Sequence, residues 1–139
     1  MKLEVEVAQI MSKDLKTLTK SQSLYEAEKL FKKHKIRHLP VVDDDHIMVG
    51  VLSYSDLLKI SYADVTEGEE DVESIVYDMF SIAQVMAKVP VTVTPDTSIR
   101  EVIKILAKQT FHSLPVVEKD GALVGIVTTT DLLNYFLED

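Results

Sequence analysis

The 139-residue sequence has no cysteine and no tryptophan, four glycines, four prolines and only two arginines, Arg37 and Arg100. Without cysteine there can be no disulfide, zinc finger, thiolate nucleophile or iron–sulfur cluster, and the composition fits a cytoplasmic protein. Glycine is too scarce for phosphate-cradling loops: no Walker loop, G-x-G-x-x-G or G-x-S-x-G occurs. Apolar runs last only a few residues, so no membrane span is expected, and no basic-then-apolar leader is visible. A net charge of −8 argues against a nucleic-acid backbone as partner, because neutralising phosphates takes a clustered excess of Lys and Arg. What is present, 46% apolar and 27% charged residues, belongs to an ordinary globular chain.

The dominant feature is an internal repeat. Val7–Ile60 superimposes without a gap on Ile82–Tyr135, 75 residues on, with 20 of 54 positions identical. Ala8–Lys13 (AQIMSK) meets Ala83–Lys88 (AQVMAK), Arg37–Asp45 (RHLPVVDDD) meets His112–Asp120 (HSLPVVEKD), and Val49–Leu58 (VGVLSYSDLL) meets Val124–Leu133 (VGIVTTTDLL). One such copy would bury only about 60% of its unfolded surface and be marginal alone. The expectation is two copies folding as one body about a pseudo-twofold axis.

Val91–Thr94 reads as a short strand stopped by Pro95-Asp96. Ser98 with Glu101 is a capping box for a helix whose Ile99, Val102, Ile103, Leu106 and Ala107 make an apolar stripe. Leu114–Val117, the turn Lys119–Gly121 and Leu123–Val127 read as a hairpin, and a second helix follows from about Thr130. In the first repeat the same signals are Ser23 with Glu26, Leu39–Val42, the turn Asp43–His46 and Ile47–Leu52, but Glu28 stands where the second has Ile103. The fold expected is α+β: two β-α-β-β-α repeats, each a small mixed sheet with helices on one face, the sheets packed face to face. The expected divisions are 1–60 for the first repeat with its lead-in, 61–81 for an acidic linker and lead-in helix, and 82–139 for the second repeat. Ser61–Ser81 carries seven acids and no base; from Val72 its Val72, Ile75, Val76 and Met79 predict a helix running into Ile82–Met86.

Each copy also carries Gly-x-x-Ser/Thr-x-x-Asp after its third strand: Gly50, Ser53, Asp56 and Gly125, Thr128, Asp131. A strand end feeding a helix start presents free backbone N–H groups and hydroxyls, which suits an anion or a sugar. Ser53 with Asp56 and Thr128 with Asp131 are equally capping boxes with Asp in place of Glu or Gln. The motif alone leaves both readings open.

The Met11 and Met86 positions, the two Leu-Pro-Val-Val strands and the two Gly-x-x-Ser/Thr-x-x-Asp corners, twice in one order, resemble a tandem pair of cystathionine-β-synthase (CBS) domains, a Bateman module, over about residues 7–60 and 82–135. The resemblance implies a regulatory sensor and not an enzyme, with clefts for adenosine-containing ligands such as AMP, ADP, ATP, S-adenosylmethionine or NAD and no required cofactor. By that resemblance Asp56 and Asp131 bind ribose hydroxyls, and Ser53 and Thr128 bind phosphate, helped by Ser55 and Thr130. The base would lie against Asp14, Leu15, Lys16, Ile36, Arg37 and His38, and against Val89, Pro90, Val91, Phe111, His112 and Ser113. It also implies clefts that join one repeat's corner to the other's strand residues, so that Thr128 and Asp131 face the cationic Lys16, Arg37 and His38. A homodimer is implied too, formed through second helices carrying Leu57, Leu58, Ile60, Leu132, Leu133, Tyr135 and Phe136, with an unidentified regulated protein as a further partner. The alternative is a dimerising scaffold with vestigial clefts. His34 and His38 read as a surface pair and not a metal site, Asp43–Asp45 as a solvated turn, and Met11 and Met86 as core filler.

Overall fold

Ser23 lies in extended backbone, and its hydroxyl accepts the Glu26 amide at 3.2 Å, opening α1 (Leu24–His34). Only half of the expected capping box forms, because the Glu26 carboxylate accepts the Gln22 side-chain amide at 3.0 Å. At Ser98 too, the hydroxyl takes the Glu101 amide (3.1 Å) without the reciprocal bond. These contacts come from a computed structural model that describes residues 2–63, 77–88, 91–109 and 112–138. Lys35, left-handed at φ 53°, ends α1 and turns the chain toward the sheet.

β1 (Leu18–Thr19) runs parallel to β2 (His38–Val42), and β2 pairs antiparallel with β3 (Met48–Ser53), giving the expected mixed sheet in the order β1–β2–β3. The β2–β3 turn closes with the Asp43 amide on Ile47 O (2.9 Å) and the His46 amide on Asp43 O (3.0 Å), with His46 at φ 64°. α2 (Tyr54–Ala63) follows directly. Leu18, Leu24, Phe31, Leu39, Leu52 and Leu57 are fully buried together. Leu57 is thus core and not the surface expected of the second helix.

The helix expected to run into Ile82–Met86 is interrupted. Residues 77–79 are helical, but Phe80 and Ser81 are not. Ser81 is extended, accepts the Gln84 amide at 3.2 Å and donates its own amide to Gln84 Oε1 at 2.8 Å, so a complete capping box starts α3 (Ile82–Val85) afresh. Of the expected stripe, Val72, Ile75 and Val76 lie outside the described residues and Met79 is 63% exposed. The buried residue there is Tyr77, whose hydroxyl donates to Glu28 and accepts from buried Ser61, and whose ring meets Tyr25 edge-on at 4.9 Å. Glu28 therefore faces a hydroxyl where Ile103 faces apolar groups.

The second repeat forms α4 (Ile99–Lys108), β4 (Ser113–Val117), β5 (Leu123–Thr128) and α5 (Thr129–Leu137). β4 and β5 pair antiparallel. The expected strand Val91–Thr94 is reduced to one parallel bridge, Val93 to Val116, because Thr94 and Thr97 turn the chain immediately afterwards. Ile99, Val102, Leu114, Val127 and Leu132 form the core. Leu132 is therefore buried, contrary to expectation, and Ala107 is exposed, while Leu133 and Leu137 on α5 are 56% and 82% exposed.

Two compact units result: Lys16–Val89, and Met1–Leu15 together with Pro90–Asp139. Each draws chain from both repeats. Ile82, Val85 and Met86 pack into the core of the first repeat's body, and Val7, Ile10 and Met11 into that of the second. Among the described residues no helix is long and apolar enough to cross a membrane.

Candidate functional site

The strand register builds a corner in each unit. His38, opening β2, is the direct partner of Ser53, which closes β3. The next amide, Tyr54 N, donates to Arg37 O at 2.8 Å. Ser53 Oγ accepts the Asp56 amide at 3.0 Å and lies 3.3 Å from Ser55 Oγ. Lys59 Nζ sits 3.8 Å from Asp56 Oδ1. Ser53, Ser55, Asp56, Arg37 and His38 thus share one end of the β2–β3 ladder, with Lys16 just ahead of β1 in the same unit. Lys33, His34 and Lys35 stand just ahead of Ile36 and Arg37 in the sequence, while Lys32 is paired with Glu28 at 3.0 Å.

The other unit repeats the plan. Ser113 pairs with Thr128, and His112 O accepts both the Thr129 amide (2.9 Å) and the Thr129 hydroxyl (3.2 Å). Here the capping box is complete: the Asp131 amide donates to Thr128 Oγ1 at 3.0 Å, and the Thr128 amide to Asp131 Oδ2 at 2.9 Å. Thr130 is exposed beside them, and Val91 is half-buried against the core. Pro90 and Phe111 lie outside the described residues. Inside each unit, the residues before a Leu-Pro strand border the corner of their own repeat.

The motif's glycines have a packing reason. A Cβ at Gly50 would lie 2.5 Å from Met86 Sδ and 3.0 Å from Ala87 O, and one at Gly125 would strike Met11. Ala87 bridges Val51 through two hydrogen bonds of 2.9 Å, and Ser12 bridges Ile126 through bonds of 2.8 and 3.0 Å. Each lead-in therefore caps a sheet edge while its methionine fills the notch left by glycine, and both methionines are partly buried core residues. Sequence reasoning paired Gly with the corner chemistry and missed this contact, although Met and Gly recur together in both copies.

It also missed Ser12, whose hydroxyl donates to Asp131 Oδ1 at 3.5 Å. Ala87 occupies that place in the other copy. A shallow depression lined by Thr94, Pro95, Asp96, Glu118, Lys119 and Asp120 lies at the hairpin end of β4 and β5, away from Thr128. Thr94 donates to the Asp96 carboxylate there and, with the backbone amide of Asp96, holds its carboxyl below the ordinary value. No cluster of three or more His, Asp and Glu suited to a metal occurs among the described residues.

The family model for the CBS domain matches residues 7–63 and 82–138. A CBS domain-containing protein of Dictyostelium discoideum is 32% identical over 138 residues, covering 98% of this chain and 94% of its own length. Other curated relatives are longer, and the chain spans 23% and 21% of two of them. Among solved structures, CBSX2 in complex with AMP is 27% identical with a TM-score of 0.80, covering 96% of each chain. The CBS domain pair of protein MJ0100, in complex with 5′-methylthioadenosine and S-adenosyl-L-methionine, is 28% identical with a TM-score of 0.74, covering 96% and 97%. With two repeats matched, each on its own strand–helix corner, the chain belongs to the CBS domain family as a tandem pair.

Proposed function

We propose that this CBS pair is a non-catalytic regulatory module that binds an adenosine-containing ligand at its two corners. The observation that carries the reading is the duplicated arrangement of a hydroxyl at a strand end and a carboxylate one turn into the following helix. It is supported by likeness to CBS structures that hold AMP, 5′-methylthioadenosine and S-adenosylmethionine. Asp56 and Asp131 accept ribose hydroxyls. Ser53, Ser55, Thr128 and Thr130, at the starts of α2 and α5, take phosphate or another polar group. Arg37, His38 and Lys16 favour a phosphorylated ligand, whereas His112, Ser113 and Val91 suit a less charged one. The module acts in the cytoplasm as a homodimer through the exposed leucines of α5, and its occupancy is read by a partner protein.

Thermal denaturation in the presence of AMP, ADP, ATP, NAD or S-adenosylmethionine tests the reading. A ligand at 100 times its dissociation constant stabilises the fold by about 2.7 kcal/mol. Stabilisation without turnover of the ligand supports a sensor. Silence across the panel overturns it in favour of a scaffold, in which the complete capping box at Thr128 and Asp131 is the whole role of that aspartate.

A further inference from the structure

We infer that Ser12 is a positioning residue for Asp131: its hydroxyl, together with the Thr128 amide, fixes the carboxylate as a two-point acceptor for the cis-diol of a ribose. The inference rests on the adenosyl reading of the corners and adds a difference between them. A carboxylate offers about four acceptor positions over its two oxygens. At Asp131 one position on Oδ2 holds the Thr128 amide (2.9 Å), and one on Oδ1 holds the Ser12 hydroxyl (3.5 Å). One position then remains on each oxygen, matching the two O–H groups of a 2′,3′-diol.

Ser12 is itself well held. Its backbone makes both bonds of the bridge to Ile126, and the preceding Met11 fills the notch at Gly125. The long hydroxyl contact is thus presented by a backbone held in place by that bridge, and losing it cannot unseat the lead-in. Its effect falls on the orientation of the carboxylate, hence on affinity. The first-repeat corner lacks both restraints. Ala87 makes the same bridge, to Val51, without a hydroxyl, and the Ser53 amide does not donate to Asp56, whose carboxylate has Lys59 at 3.8 Å. Asp131 is accordingly the corner selective for an intact ribose, and Ser12 sets that selectivity.

Calorimetric titration with AMP and 2′-deoxy-AMP tests this, in protein carrying Asp56→Asn so that the Asp131 corner is measured. Asp56 makes no side-chain cap, so this background keeps its helix start. AMP should bind more tightly than 2′-deoxy-AMP. Ser12→Ala should weaken AMP about threefold to tenfold, the effect of one hydrogen bond, while leaving 2′-deoxy-AMP nearly unchanged; Ser12→Thr should restore the difference. If AMP is preferred and Ser12→Ala leaves that preference intact, the role of Ser12 is overturned and the adenosyl reading stands. If Ser12→Ala weakens both nucleotides equally, Ser12 does not act through the diol, and the inference is again overturned. If AMP fails to bind the unmutated protein, both the inference and the adenosyl reading fall.

Discussion

Gly50→Ala is the sharpest probe of how the lead-ins are held. Gly50 has no left-handed backbone requirement, so a methyl there should, by stiffening the unfolded chain, stabilise by about 0.4–1 kcal/mol. Against this stands the contact geometry: the new Cβ would lie 2.5 Å from Met86 Sδ and 3.0 Å from Ala87 O. Met86 is a flexible side chain and can turn. The Ala87 carbonyl cannot, because it accepts the Val51 amide at 2.9 Å, and overpacking of this kind costs about 1–3 kcal/mol. The net expectation is a loss of about 1–2 kcal/mol, which lowers the urea midpoint by roughly 0.3–2 M at a slope of about 1–3 kcal/mol/M. Gly125→Ala supplies the comparison, since the new Cβ there would press on the side chain of Met11, which can rotate away; its loss should be smaller. Adding Met86→Ala to Gly50→Ala should give a double variant more stable than the sum of the two losses. An unchanged or raised midpoint for Gly50→Ala, or equal losses at the two glycines, would refute the account of the notch.

Two further outcomes follow from side chains outside the corners. Tyr77→Phe removes the hydroxyl between buried Ser61 and Glu28 and should cost about 1–3 kcal/mol, as expected for buried polar groups losing a partner; Tyr25→Phe, which keeps the edge-on ring contact, should stay within about 0.5 kcal/mol, and equal melting temperatures for the two variants would show the hydroxyl to be idle. Asp96 is held below its ordinary carboxyl value by the Thr94 hydroxyl and its own amide, so its contribution is present above that value and is lost as pH falls through the lowered one. Urea midpoints should therefore fall more steeply as pH drops below the ordinary carboxyl range for the unmutated protein than for Asp96→Asn, and parallel profiles would contradict the shift.

The elements legible in the sequence were those whose signal is local. Strand alternation with Leu-Pro-Val-Val located β2 and β4 to within a residue, and Ser23 and Ser98 marked helix starts that the structure keeps. Thr128 with Asp131 was readable as a complete box, and it forms. Signals that depend on distant partners were not legible. The apolar spacing around Met79 suggested one helix, yet Ser81 with Gln84 begins a new one and Tyr77, not Met79, is buried. Leu57 and Leu132 looked like surface because a short helix with leucines on several sides does not announce which side meets the sheet. The corner hydroxyls and carboxylates were found from their spacing, whereas Ser12 was invisible because its contact to Asp131 spans 119 positions. Only the bridge to Ile126 brings it there.

The exchange of openings between the copies limits how such a chain can change over time. A duplicated gene with self-contained products can lose either half and keep a working remainder. Deleting either copy of this one removes the methionine plug of the survivor and uncovers the edge that Ala87 or Ser12 shields, leaving an exposed strand prone to mispairing. The duplicates are bound to persist, or disappear, in company.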